Sequence, residues 1–156
     1  MNNISDLYYS YLDTPIGQIE VCANNSNIVS IYFSDLKQDF YQGNPVTTEA
    51  VTQLKAYFKR QLTGFELPLS AKGTDFQRQV WQALATIPYG ATCSYADIAN
   101  TLQNPKAVRA VGAANGKNPL SIVIPCHRVI GKNGTLTGYA GGLARKSWLL
   151  DFEQRS

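Results

Sequence analysis

Histidine and cysteine are scarce in this chain: one histidine and three cysteines among 156 residues. The cysteines, Cys22, Cys93 and Cys126, are odd in number and unrelated in spacing, and no CxxC pair exists. That excludes a disulfide framework, and with a single histidine it excludes a structural zinc site, so no metal is expected. No apolar run approaches the roughly 20 residues of a membrane span. The opening residues, Met1-Asn2-Asn3-Ile4-Ser5-Asp6, lack the basic-then-apolar pattern of a signal peptide. The expectation is a cytoplasmic protein (nuclear in a cell with a nucleus) with no membrane partner. Internal repeats and low-complexity tracts are absent as well.

What is present is an ordinary apolar share, 44% of residues, enough for one compact domain or two small ones. The charge is unevenly spread. Residues 1–71 carry four basic side chains against seven acidic ones, whereas residues 72–156 carry ten basic against four acidic. A polyanion is the natural partner for the second half, although a solvated basic face would give the same count.

The first third reads as strands. Leu7–Leu12, Gln18–Ala23 and Ile28–Phe33 are short β-type runs, separated by the turn compositions Thr14-Pro15-Ile16-Gly17 and Asn24-Asn25-Ser26-Asn27. Residues 46–63 switch to a helical period, with Val51, Leu54, Tyr57, Phe58 and Leu62 on one face and Gly64 as the stop. The stretch Leu67–Gly73 has linker chemistry and coincides with the charge reversal, which places a domain boundary between residues 71 and 72. Beyond it, Thr74-Asp75-Phe76-Gln77 forms a capping box for a helix that Pro88-Tyr89-Gly90 stops. Ser94-Tyr95-Ala96-Asp97 starts a short helix to about residue 102. Asn104 caps another with Pro105 at its first position, ending at Asn115-Gly116. Ile122-Val123-Ile124 reads as a short buried strand. A glycine-rich loop, Thr137–Gly142, leads into a last helix with Leu143, Trp148, Leu149 and Phe152.

The two short helices, at about 95–102 and 105–115, resemble a helix-turn-helix, whose second helix meets DNA. Val108 and Val111 are expected to point into the core, leaving Arg109, Lys106, Ala110 and Ala113 on the open side. One arginine among alanines reads little base sequence but lets the backbone come close, which suits sequence-independent binding and insertion of one side chain. An alanine-rich packing helix has the same composition, and the residues alone leave both readings open.

The segment Ile122–Ile130 carries the chemistry, because the only histidine, His127, directly follows Cys126. A thiol attacks as thiolate, and a neighbouring histidine is a common means of producing one. Pro125 fixes the backbone just ahead of the nucleophile. On an extended strand the two side chains would point to opposite faces, so they would need a turn or a bridging water to communicate. Glu153 and Asp151 on the final helix are the carboxylates available to orient the imidazole.

From about Phe76 to Glu153 the sequence resembles the O6-alkylguanine-DNA alkyltransferases, also called methylated-DNA–protein-cysteine methyltransferases. The resemblance rests on Pro125-Cys126-His127-Arg128-Val129-Ile130, Ser94-Tyr95, Asn104–Gly112, Asn118-Pro119, and Tyr139-Ala140-Gly141-Gly142-Leu143 followed by Lys146 and Trp148. It implies an α+β fold: a ribonuclease-H-like antiparallel sheet with a helix in a supporting domain, residues 1–71. A mostly helical, winged helix-turn-helix-like DNA-binding and alkyl-transfer domain, residues 72–156, would follow.

It also implies a mechanism without a cofactor. A damaged nucleotide leaves the duplex, Arg109 fills the gap, and Cys126 takes the alkyl group from O6-alkylguanine, and by extension from O4-alkylthymine, irreversibly. His127, acting through a water and backed by Glu153, would activate Cys126, and Tyr95 would protonate the departing base and contact DNA. Asn118 would tie the recognition helix to the active-site strand. The carbonyls of Cys126 and Val129 would hold the exocyclic amine, and Tyr139 and Ala140 would line the pocket. Lys106, Ala110, Ala113 and Arg128 join Arg109 as DNA contacts. The implied partner is double-stranded DNA, bound by a monomer with little sequence preference, cooperativity being left open. A lesion-binding protein of the alkyltransferase-like kind would lack the cysteine. A transcription regulator would want a richer base-reading helix face, and a cysteine hydrolase would want an oxyanion hole and a distant histidine.

Overall fold

Alternation of side chains along a strand makes one face apolar, and β2 shows the pattern: Ile19, Val21 and Ala23 have no exposed surface. In the computed structural model, which describes residues 6–36 and 41–155, β2 (Gly17–Ala23) is the middle of a three-stranded antiparallel sheet. Its neighbours are β1 (Tyr8–Thr14) and β3 (Ile28–Phe33), as the meander pattern predicts. The residues Met1–Ser5, Lys37 and Asp39, which entered the leader and charge readings, lie outside the described residues.

Helix α1 (Pro45–Phe58) covers the sheet with Ala50, Leu54 and Tyr57, all fully buried, against Ile19, Ile28 and Ile31. Each such burial is worth about 1.5–3 kcal/mol for the larger side chains. Asn44 and Thr47 form a reciprocal capping box with Pro45 at the first turn, a start the periodicity did not reveal. The helix ends five residues before the expected last helical position, 63, because Arg60 adopts φ 62°, a left-handed conformation that ends helical hydrogen bonding before Gly64. Part of the expected linker is also structured: Leu69 bridges Ile28, with Ile28 N–H donating to Pro68 and Ser70 N–H to Ile28.

The chain divides into two compact units, Met1–Ala71 and Lys72–Ser156. The second contains α2 (Asp75–Leu84), β4 (Cys93–Ser94), α3 (Tyr95–Thr101), α4 (Val108–Gly116), β5 (Val129–Ile130) and α5 (Leu143–Gln154). The capping boxes expected at Thr74–Gln77 and Ser94–Asp97 are both present. The indole N–H of Trp81 donates to the Ala114 carbonyl at 2.8 Å, tying α2 to α4 inside the core. Among the described residues no helix is long and apolar enough to cross a membrane.

Two expectations fail here. Asn104-Pro105-Lys106-Ala107 is a separate turn, closed by Ala107 N–H to Asn104, and α4 starts only at Val108 with Ala107 at its cap and no side-chain capping bond. Proline at the second position of a turn favours that closure as readily as it favours a helix start. Ile122–Ile124 is a turn rather than a strand, with Ile122 at φ 71°. The only strand of this segment is the two-residue β5, which pairs in parallel with β4.

Candidate active site

An asparagine builds the platform. The Asn118 amide donates to the Ile124 carbonyl at 2.8 Å and to that of Leu120 at 3.4 Å, while its oxygen accepts the Leu120 N–H at 3.0 Å. This closes the turn in which Ile122 holds its left-handed backbone and delivers the chain to Pro125. Cys126, His127 and Arg128 then form one turn of 3₁₀ helix. Successive side chains on such a turn are about 120° apart rather than opposed, so the strand-based objection to Cys126 and His127 acting together does not apply. Asn118 acts on this turn; the link from α4 to the cysteine comes from Asn115, whose amide donates to the Cys126 carbonyl at 3.4 Å. The sequence marked Asn115 only as a helix end, not as a residue of the site.

All three residues of the turn are buried, His127 completely. Nε2 of His127 lies 2.8 Å from Oε2 of Glu153. Of the two candidate carboxylates, Glu153 is therefore the partner, while Asp151 pairs at the surface with Arg155. Arg128 does not reach a DNA-facing surface. Its Nε and Nη2 bind Oε1 and Oε2 of Glu153 at 2.8 and 3.0 Å, and Nη1 donates to the Ile87 carbonyl at 2.6 Å. The Cys126 carbonyl accepts both the Asn115 amide and the Val129 N–H.

The resting nucleophile is a thiol. Burial pushes the Cys126 thiol up, with Asn118 and the Lys146 charge offsetting part of the effect. Burial lowers the proton affinity of His127, opposed by its bond and charge contact with Glu153 and reinforced by Arg128 and Lys146. An ionised carboxylate only accepts, so Nε2 carries hydrogen and Nδ1 of the neutral ring presents a lone pair. That Nδ1 is buried and has no hydrogen-bond partner among the described residues. Burial, and then the proximity of Cys126, holds the Tyr139 hydroxyl well above the usual phenol range.

Tyr95 stands at the start of α3, and its hydroxyl donates to the Thr137 carbonyl at 3.0 Å. The same carbonyl accepts Nζ of Lys146 at 2.6 Å, and that ammonium lies 5.9 Å from the Tyr95 ring centroid. Lys146 is fully buried, an anchor for the glycine loop that sequence reasoning did not recognise. The loop ends at Gly142, whose φ of 92° with ψ of 154° is open only to glycine. Tyr139 is buried and Ala140 exposed. On α4, Arg109, Ala110 and Ala113 are exposed, as is Lys106 in the preceding turn. Val108 is 37% exposed and so joins this outer face, whereas Val111 is buried as expected. The late start of α4 accounts for Val108, which occupies its first turn, where side chains splay from the core.

Residues 75–155 match the family model for the 6-O-methylguanine DNA methyltransferase DNA-binding domain, and residues 7–71 that of its ribonuclease-like domain. The chain belongs to the 6-O-methylguanine-DNA methyltransferase family. A methylated-DNA–protein-cysteine methyltransferase of Methanosarcina barkeri is 44% identical, over 96% of this chain and 99% of that protein. The constitutive enzyme of Bacillus subtilis is 46% identical, over 96% of each. The crystal structure of the Mycobacterium tuberculosis O6-methylguanine methyltransferase superposes with a TM-score of 0.87 at 44% identity, covering 96% of this chain and 94% of that one. The mycobacterial protein solved in complex with DNA gives 0.86 at 45% identity, covering 95% and 93%. The α+β architecture expected of the family, with its ribonuclease-like and DNA-binding parts, is the one observed.

Proposed function

We propose that this chain repairs DNA by direct reversal, with Cys126 as the acceptor of the alkyl group of O6-alkylguanine and also of O4-alkylthymine. The observation that carries the reading is the buried Nδ1 of His127, without a partner among the described residues, on the ring next to Cys126 whose other nitrogen is fixed by Glu153. The thiol proton passes toward Nδ1, the sulfur–carbon bond forms, and the carbon–oxygen bond to the base breaks. Tyr95 turns from Thr137 to protonate the departing base, which would otherwise leave as an anion. The product is a thioether that hydrolysis does not reverse, so each molecule acts once.

Burial of Cys126 requires the nucleotide to leave the stack. Arg109 takes its place in the duplex, while Lys106, Ala110 and Ala113 lie against the DNA backbone with little base reading. Val129 offers its carbonyl to the exocyclic amine, with Tyr139 and Ala140 as pocket walls. The protein works as a monomer in the cytoplasm, and residues 1–71 support the reacting unit.

Mixing the protein with a duplex containing O6-methylguanine tests this directly. A mass gain of about 14 Da on Cys126, saturating at one equivalent, is expected. Binding without any mass gain would instead identify a lesion-recognition protein, and turnover beyond one equivalent would refute the acceptor role. Cys126→Ala should bind and gain nothing, and Arg109→Ala should bind and transfer weakly.

A further inference from the structure

Arg128 has the sequence context of a DNA contact and the structural setting of an internal part. Its guanidinium covers both oxygens of Glu153, at 2.8 and 3.0 Å, and a third donor holds the Ile87 carbonyl. Glu153 also receives Nε2 of His127, and the Gly90 N–H at 3.4 Å. A fork of this kind matches a carboxylate in shape as well as charge, and Arg128 and Glu153 are 5% and 1% exposed. The proposal that follows rests on Cys126 being the alkyl acceptor.

We propose that Arg128 is a positioning residue for the transfer: through Glu153 it keeps Nδ1 of His127 free of hydrogen and ready to receive the Cys126 proton.

Charges in a closed site must balance. With Arg128 in place, Glu153 is already neutralised, and a proton on His127 would leave an uncompensated buried cation. Lys146 of α5 adds to that opposition, while Cys126 and Tyr139 are uncharged in the resting state. Without Arg128, Glu153 loses the guanidinium that neutralises it, and the pair it forms with His127 gains stability from one more proton. That proton has two places to settle. On the imidazole it makes an imidazolium with hydrogen on both nitrogens. On Glu153 it makes Nε2 an acceptor and moves the ring hydrogen to Nδ1. Either way Nδ1 is blocked, and the two arrangements titrate as one step belonging to the pair. Raising the pH removes the extra proton and restores the base.

Because the chain has a single histidine, selective ¹⁵N labelling reports this ring alone. Wild type at pH 7 should show a hydrogen-free Nδ1 and a protonated Nε2. In Arg128→Met, Nδ1 should carry hydrogen at pH 7. The acid limb of the single-turnover transfer rate should move alkaline by about 1–3 pH units, a loss of roughly tenfold or more at neutral pH. The rate should recover near pH 9, which a merely structural defect would not allow. Arg128→Lys keeps a charge without the fork and should fall between the two. If Arg128→Met does not fold, Arg128→Lys decides: a wild-type Nδ1 signal and rate profile there overturn the proposal. So does a hydrogen on Nδ1 in the wild-type protein, or a rate lowered equally at every pH in any folded variant. Absence of transfer by wild type would count instead against the acceptor role of Cys126.

Discussion

Replacing Asn118 by alanine removes the closure of the turn that carries Cys126, and the cost follows from the bonds lost. Two are well made, at 2.8 and 3.0 Å, and a third is long, at 3.4 Å. Each good bond contributes about 0.5–1.5 kcal/mol net, and a buried group left unpaired costs about 1–3 kcal/mol more. The Leu120 N–H is the group exposed to that penalty, at a residue with no accessible surface, whereas the Ile124 carbonyl keeps the Cys126 N–H at 2.8 Å. The same bonds hold Ile122 at φ 71°, a conformation that costs a β-branched residue of order 1–3 kcal/mol and relaxes if the turn opens. Relaxation and water entry offset part of the loss, leaving an expected destabilisation of about 3 kcal/mol. That corresponds to a drop of roughly 6–12 °C in melting temperature. Tryptophan fluorescence during urea unfolding is the assay, since both tryptophans, Trp81 and Trp148, lie in the unit from Lys72 to Ser156. Asn118→Asp keeps the acceptor for Leu120 but turns a carboxylate toward the Ile124 carbonyl, so it should be no better than alanine. A loss under about 1 kcal/mol in Asn118→Ala would show that the turn closes without the amide, and the account of the platform would be wrong.

Lys146→Met should separate stability from reaction. Methionine fills the stem's space and removes a buried charge, so the urea midpoint should change little. Single-turnover transfer should slow by roughly tenfold or more, since the Cys126 thiolate loses a cation and the glycine loop loses its anchor; an unchanged rate would refute the role. Stability should fall as the medium is acidified below pH 6.5. The folded state resists protonating His127 and the unfolded chain does not, so the unfolded state binds the extra proton. The limiting slope is about 1.4 kcal/mol per pH unit, and His127→Gln should flatten urea midpoints measured against pH in this range. Cys93 is half-buried and its pKa is pushed up to about 11 by burial and then by the charge of Asp97. In a Cys22→Ala, Cys126→Ala background its alkylation by iodoacetamide should rise about tenfold per pH unit between pH 8 and 10; a flat profile would contradict that environment.

The features legible in the sequence were those whose cause is local. A capping box is two side chains and two N–H groups within four residues, and Thr74–Gln77 and Ser94–Asp97 could be read without knowing anything else. The β-type run Gln18–Ala23, set between two turn compositions, marked a strand for the same reason. Failures came where the deciding partner is distant or where backbone sign matters. Arg60 and Ile122 adopt positive φ with side chains that disfavour it, so residue type pointed the wrong way at both. Asn115 acts on a carbonyl 11 residues away, across a turn whose shape the sequence does not state.

Arg128 is the instructive error, because a signal for it existed. Its place among the DNA contacts came with the family resemblance, and that place requires a solvent-facing side chain. Helical spacing says otherwise about its partner. Lys146, Leu149 and Glu153 stand at i, i+3 and i+7 in α5 and share one face, and all three are fully or almost fully buried. A leucine flanked at that spacing by a lysine and a glutamate marks a face that turns inward and carries charge with it. Such a glutamate must find a cation inside the fold, because an unpaired buried carboxylate is too costly to keep. Lys146, seven residues earlier, lies nearly two turns, about 10 Å, along the helix axis. The cation had therefore to come from another segment. Arg128, between a histidine and the valine and isoleucine of a buried strand, is placed to supply it. Burial of a charge at helical spacing thus names both the carboxylate and the need for an arginine, and in this chain that pair stands directly behind the reacting cysteine.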